Sequence, residues 1–178
     1  MSQPFDSTKK ALRRFRRNRR GSAAVEFALV APIFFALLFA ILETGIVFFA
    51  GQVLESVTQD AARTVMTGQV QNSALTQAQF KSNVCSRINV LFDCPNGIYV
   101  DVRSYSAFAN VNVAAPIDAN GNFVNNMQYS PGAAGDIVVV RVFYQWPLVV
   151  TGLGYNISNL NNNKRLLTAT AAFKNEPY

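Results

Sequence analysis

The chain has 178 residues, half of them hydrophobic and only 15% charged, enough for one folded domain and a membrane segment. It has no histidine and two cysteines, so the commonest general base and the commonest metal ligand are both missing. No Gly-rich phosphate loop, nucleophile elbow or paired-carboxylate pattern stands in their place, and we expect no enzyme, no catalytic residue, no metal site and no cofactor.

The formal net charge of +6 is carried by one end. Residues 1–20 hold eight Lys or Arg against Asp6, a net of +7, and the rest holds eight basic and nine acidic side chains, a net of −1. The basicity therefore gives no reason to expect nucleic-acid binding by the folded part.

Residues 27–42 follow as an unbroken apolar run, extended on both sides by small and apolar residues and interrupted only by Glu26 and Glu43. A bilayer core needs about 20 helical residues at about 1.5 Å each, so the segment is long enough to span. Eight basic residues precede it and none follows until Arg63, which by the positive-inside rule puts the N-terminus in the cytoplasm and the remainder outside. The run is too long for a Sec signal h-region, and no A-x-A site follows it. A simple uncleaved signal anchor explains everything except Glu26, since a carboxylate at the start of a membrane helix is costly and points to function. Glu43 lies about 26 Å further along the helix, where we expect it to be hydrated at the opposite interface. Pro32 reads as a tolerated membrane proline.

Outward from Glu26 the chain reads Arg19-Arg20-Gly21-Ser22-Ala23-Ala24-Val25-Glu26-Phe27. A basic arm, a glycine and Glu-Phe opening an apolar helix resemble the type IV prepilin processing site, where a membrane aspartyl peptidase cuts after the glycine. Gly at the cut lets the backbone lie extended in a narrow cleft. The basic arm holds the leader at the anionic cytoplasmic face. Glu26 can neutralise the amine that cutting creates at Ser22, its own or a neighbour's, where neither charge tolerates burial alone.

Over residues 20–45 the wording is similar to the TadE-like family, minor pilins or pseudopilins of the tight-adherence (Tad, Flp) pilus system, and the ending AAFKNEPY resembles endings in that group. The resemblance implies cleavage by the Tad prepilin peptidase after Gly21, a mature N-terminus at Ser22, and assembly contacts through Glu26 and Phe27. It also implies residence in the bacterial inner membrane among lipid. The implied partners are the peptidase, the major Flp pilin, other TadE-like minor pilins and the inner-membrane assembly platform. The domains expected are a cleaved basic leader at 1–21, a transmembrane helix at 22–45 and an exported domain at 46–178. An uncleaved, signal-anchored periplasmic binding or sensor domain is the alternative, and an exported hydrolase has little support.

Beyond the membrane Ile46, Val47, Phe49, Ala50, Val53, Leu54, Val57, Ala61 and Val65 continue at helical spacing, with Gly68 as the stop. Thr76 and Gln79 in capping-box spacing open a second helix, with Phe80, Val84, Ile88 and Leu91 on one face. Cys85 and Cys94 lie close together on the exported side, where a disulfide can persist; two unpaired thiols are the alternative. Pro95-Asn96-Gly97 reads as a turn. Residues 98–105 alternate as a strand, residues 136–146 form the strongest strand, stopped by Pro147, and residues 164–173 form a weaker last one. Residues 107–135 and 147–163 read as loops available to partners. Asp118-Ala-Asn-Gly-Asn122 reads as an Asx turn rather than a calcium loop, lacking the downstream acid. Tyr144, Trp146 and Tyr155 read as core rather than as a sugar-binding surface. The fold expected is α+β and pilin-like: a long N-terminal helix, half transmembrane and half exported, packed on a small antiparallel sheet of three or four strands.

Overall fold

A computed structural model describes residues 21–88 and 90–178, with backbone alone at residues 152 and 153. The basic arm at 1–20, and with it most of the expected leader, lies outside the described residues. The chain divides into two compact units, one ending at Ile41 and the other covering Leu42–Tyr178. Helix α1, Ser22–Met66, contributes to both. It is continuous through Pro32, whose missing N–H removes one ladder bond without ending the helix.

In the first unit α1 buries nothing: Val25, Phe27, Leu29, Val30, Ile33 and Leu37 are all exposed. In the second unit it has a dry face. Val47, Ala50, Leu54, Val57, Ala62 and Val65 are buried there at helical spacing, and they share one core with the sheet. The helix ends at Met66, and Gly68 takes φ +73°, a left-handed conformation that favours glycine. The C-terminus closes over this end. The Glu176 amide donates to the Met66 carbonyl at 2.9 Å, the Tyr178 ring lies where a Cβ on residue 68 would stand, and buried Asn175 donates to the carbonyls of Pro131 and Ala133.

A short turn of helix, α2 (Gln69–Asn72), precedes α3 (Gln77–Cys85). The expected capping box is formed, with the Gln79 amide donating to the Thr76 side chain and the Thr76 amide to the Gln79 side chain. Phe80 and Val84 face the core. The helix stops at Cys85, earlier than the apolar spacing through Leu91 suggests: the amides of Arg87 and Ile88 donate three residues back, to Val84 and Cys85, and the chain goes on as turns. Cys85 is bonded to Cys94 with 5.6 Å between their α-carbons. The Pro-Asn-Gly turn is helical, α4 (Cys94–Gly97), and the Tyr144 ring packs where Gly97 has no side chain.

The sheet has three antiparallel strands in the order β1 (Ile98–Tyr105), β2 (Ile137–Pro147) and β3 (Lys164–Lys174). Val100 faces Val142, Asp101 faces Arg141, and Val140 faces Ala171. One sheet face carries Val100, Val102, Val138, Val140, Val142 and Ala169 into the core shared with α1 and α3. Tyr144 and Trp146 continue into an aromatic cluster with Phe92, at centroid distances of 4.9–6.0 Å.

The other face is also covered. Phe143, Leu160 and Leu166 form a second core with Tyr99, Ile117, Phe123 and Met127. Within the loop at 107–135, Ile117, Phe123 and Met127 therefore pack as a cover on the sheet, while residues 107–115 are largely exposed. The last part of the loop borders β1, where the Val102 amide donates to the Gln128 carbonyl and the Ser130 amide to the Val102 carbonyl, both at 2.8 Å.

Candidate anchoring and processing site

The expected processing residues fall together at the start of α1. Gly21 immediately precedes the helix, and a Cβ there would meet nothing within 4 Å. Among the described residues nothing at this position requires glycine. The Ser22 hydroxyl donates to Glu26 Oε1 at 3.0 Å, the one-turn reach of residues four apart on a helix. Phe27 follows, 68% exposed. The next two turns carry an edge-to-face Phe34–Phe35 pair and a stacked Phe35–Phe39 pair, on a helix whose most apolar window is long enough to cross a membrane and is not buried in protein. Cys85 and Cys94 belong to the other unit and take no part in this segment.

Glu43 does not have the hydrated setting expected for it. It is buried, and its carboxylate accepts from the Val149 amide at 2.5 Å and from the Val150 amide at 3.2–3.3 Å. Residues 149 and 150 open a short 3₁₀ turn, Val150–Leu153, whose first amides have no intrahelical acceptor. A carboxylate satisfies them with charge-assisted bonds. One residue on, the Thr44 and Tyr155 hydroxyls are 2.9 Å apart. Tyr155 thus stands apart from the Tyr144–Trp146 cluster, and the three aromatics do not form a common surface. A second acid just past a long apolar run was the available signal for Glu43; nothing local indicated which amides it would meet.

A second charged centre went unnoticed in the sequence. Asp101 is fully buried and Arg141 nearly so, paired across β1 and β2 with Arg141 Nη2 donating at 2.6 Å. Arg103 Nε donates to the same carboxylate at 2.9–3.0 Å, and the Gln128 amide adds a bond at 2.7 Å. Arg141 also donates to the Ala114 carbonyl at 2.8 Å, and Arg103 to that of Asn126 at 3.1 Å. This network ties the cover segment to the sheet. Its signal was a lone acid and a lone base in two apolar strands, meaningless until the register makes them partners.

Asp118 forms the expected Asx turn. Its carboxylate accepts from the amides of Asn120 and Asn122 and from the Asn122 side chain at 2.8–3.0 Å. These bonds, that of the Asn122 amide foremost, hold the carboxyl below its ordinary value. Asn161 braces the turn from the second loop through its amide to the Gly121 carbonyl and its side chain to the Asn120 carbonyl. Burial raises the Tyr129 phenol above its ordinary range.

Among the described residues no three His, Cys, Asp or Glu side chains are grouped to hold a metal ion. One cavity of about 260 Å³ lies beside α1 and α3, with Val57, Thr64, Val70, Phe80, Asn83 and Arg87 in its wall.

A family model described as TadE-like protein matches residues 21–63, about a quarter of the chain. The match begins at Gly21, takes in Ser22, Glu26 and Phe27, and runs into the buried half of α1. No curated protein and no solved structure matches the chain.

Proposed function

We propose that this chain, TadE-like over residues 21–63, is a minor pilin or pseudopilin that takes part in assembling a Tad (Flp) pilus after a prepilin peptidase removes residues 1–21. In this reading α1 enters the bacterial inner membrane with its basic arm in the cytoplasm, and residues 46–178 are exported. The observation that carries it is the joint position of Gly21, Ser22 and Glu26 at the head of a helix whose apolar first part, residues 22–41, holds no buried side chain among the described residues. A signal anchor needs the apolar helix but not the acid.

Cutting after Gly21 would leave Ser22 with a cationic amine, and Glu26 already reaches the side chain of that residue. In a dry contact between subunits the two charges compensate each other, where either alone would be excluded. The partners follow as the peptidase, the major Flp pilin, other TadE-like minor pilins and the membrane assembly platform. Intact mass of protein purified from membranes with the peptidase present tests the reading. The expected species begins at Ser22; retention of residues 1–21 on most molecules contradicts it.

The alternative, an uncleaved anchored binding domain, would use the cavity beside α1 and α3. Its volume is about 260 Å³, and a ligand-dependent thermal shift would favour this alternative.

A further inference from the structure

We propose that Val149 and Tyr155, exposed on either side of a turn whose Leu148 and Val150 are buried, form a membrane-seated foot on the exported domain, a second lipid contact held at its depth by Glu43. The inference rests on the reading of α1 as a membrane helix and goes beyond it, because it assigns lipid contact to a part of the head that is distant from α1 in sequence.

The case is one of level along α1. Glu43 immediately follows the apolar run, and its carboxylate holds the amides of Val149 and Val150. The bonds keep these amides within one side-chain length of Glu43, and helical side chains tilt toward the N-terminus. Moving from Glu43 toward the head, α1 carries no further charge until Glu55 and no amide side chain until Gln52. Ile46, Phe48 and Phe49 are 50–69% exposed in between. At about 1.5 Å per residue, Gln52 lies about 13 Å headward of Glu43. Bare phenylalanines on α1 are therefore further from the membrane centre than the turn that Glu43 fastens.

If Phe48 and Phe49 reach the headgroup region, Val149 lies as deep or deeper. Its side chain is 86% exposed and no charge flanks it: the segment reads Pro147-Leu-Val-Val-Thr151. Tyr155, 38% exposed with its hydroxyl on Thr44, has the amphipathic ring favoured where lipid meets water. The backbone of such a turn needs acceptors for its amides in an apolar setting, and Glu43 supplies them. The occupant is lipid rather than another chain because the turn is uncharged and is fastened to Glu43, the residue that directly follows the apolar run.

The test places a bimane label at Val149→Cys in the otherwise native chain, whose own cysteines are bonded to each other. The protein is reconstituted in phosphatidylethanolamine–phosphatidylglycerol vesicles with brominated acyl chains. Labels at Leu37→Cys and at Gln59→Cys, about 24 Å headward of Glu43, serve as membrane and water references. We expect Val149 to be quenched by brominated lipid at least half as strongly as Leu37 and to be shielded from iodide, with Gln59 unquenched. Quenching at Leu37 with Val149 open to iodide overturns the foot while leaving the anchor intact. A Val149 label shielded from both quenchers shows a protein occupant and also overturns it. Absence of quenching at Leu37 removes the membrane reading itself, and the foot with it.

Discussion

The two parts of helix α1 use one covalent element under opposite rules. Residues 22–41 expose nearly every apolar side chain, and among the described residues their single acid, Glu26, bonds to Ser22 alone, one turn away. Residues 42–66 bury a stripe against a sheet, and their first acid, Glu43, is buried and bonded to amides more than a hundred residues distant. Both carboxylates border the same apolar run. Where the chain supplies the partner, as at Glu43, the acid belongs to the fold. Where the described residues supply almost none, as at Glu26, we propose that the acid serves a contact outside the chain. Substitutions should sort by that division, those in the head changing stability and those at the helix start changing assembly alone.

The largest effect is expected at Asp101. Asp101→Ala leaves Arg141 buried without its partner and loosens the segment that Gln128 fastens to β1. Breaking a buried pair costs about 3–5 kcal/mol, so thermal unfolding of the detergent-purified protein should shift by many degrees. A shift no larger than that of an exposed substitution would mean the network does not hold the cover.

Replacing Cys85 and Cys94 with serine opens a ten-residue loop. The chain-entropy relation puts the loss at about 2.7 kcal/mol. Denaturant titration of the oxidised and substituted proteins measures it directly, and adding reductant to the native protein should reproduce the substituted curve.

Glu43→Ala should cost about 1.5–3 kcal/mol, the range for hydrogen bonds to a charged group, while leaving processing after Gly21 unchanged. Hydrogen exchange at Val149 and Val150 should then accelerate while exchange in β2 does not. Equal acceleration in both would mean that Glu43 supports the whole head rather than one turn.

A smaller effect is expected from Asp118. Its carboxyl is held below the ordinary value of 3.8 by Asn122. A group with a lowered folded pKa stabilises above its unfolded value, and that stabilisation is lost as pH falls through the folded one. Asp118→Asn should therefore flatten a slight acid-limb slope below about pH 4 and change nothing at neutral pH, as read by thermal unfolding across that window.

The sequence made α1, the capped α3, the three strands and the Asx turn legible, because each rests on neighbours a few residues apart. Thr76 and Gln79 close their box locally, and residues 137–147 are apolar enough to read as a strand without help. What stayed hidden depends on register and return paths. Asp101 meets Arg141 only once β1 and β2 align, residues 107–135 looked loose because their anchors lie in strands, and the docking of residues 175–178 on the end of α1 has no local signature. Gly21, Ser22 and Glu26 stand out for a different reason, since they lie in one contiguous stretch and need no register to be seen as a motif.

The division between the two acids is tested most directly at Glu26, by measuring processing, unfolding temperature and pilus assembly for Glu26→Gln in the same strains. The account predicts nearly normal cleavage after Gly21, an unfolding temperature equal to that of the parent, and failed assembly, with Glu26→Asp intermediate in assembly alone. A Gln variant that is fully processed and fully piliated would contradict it, as would one whose head unfolds earlier.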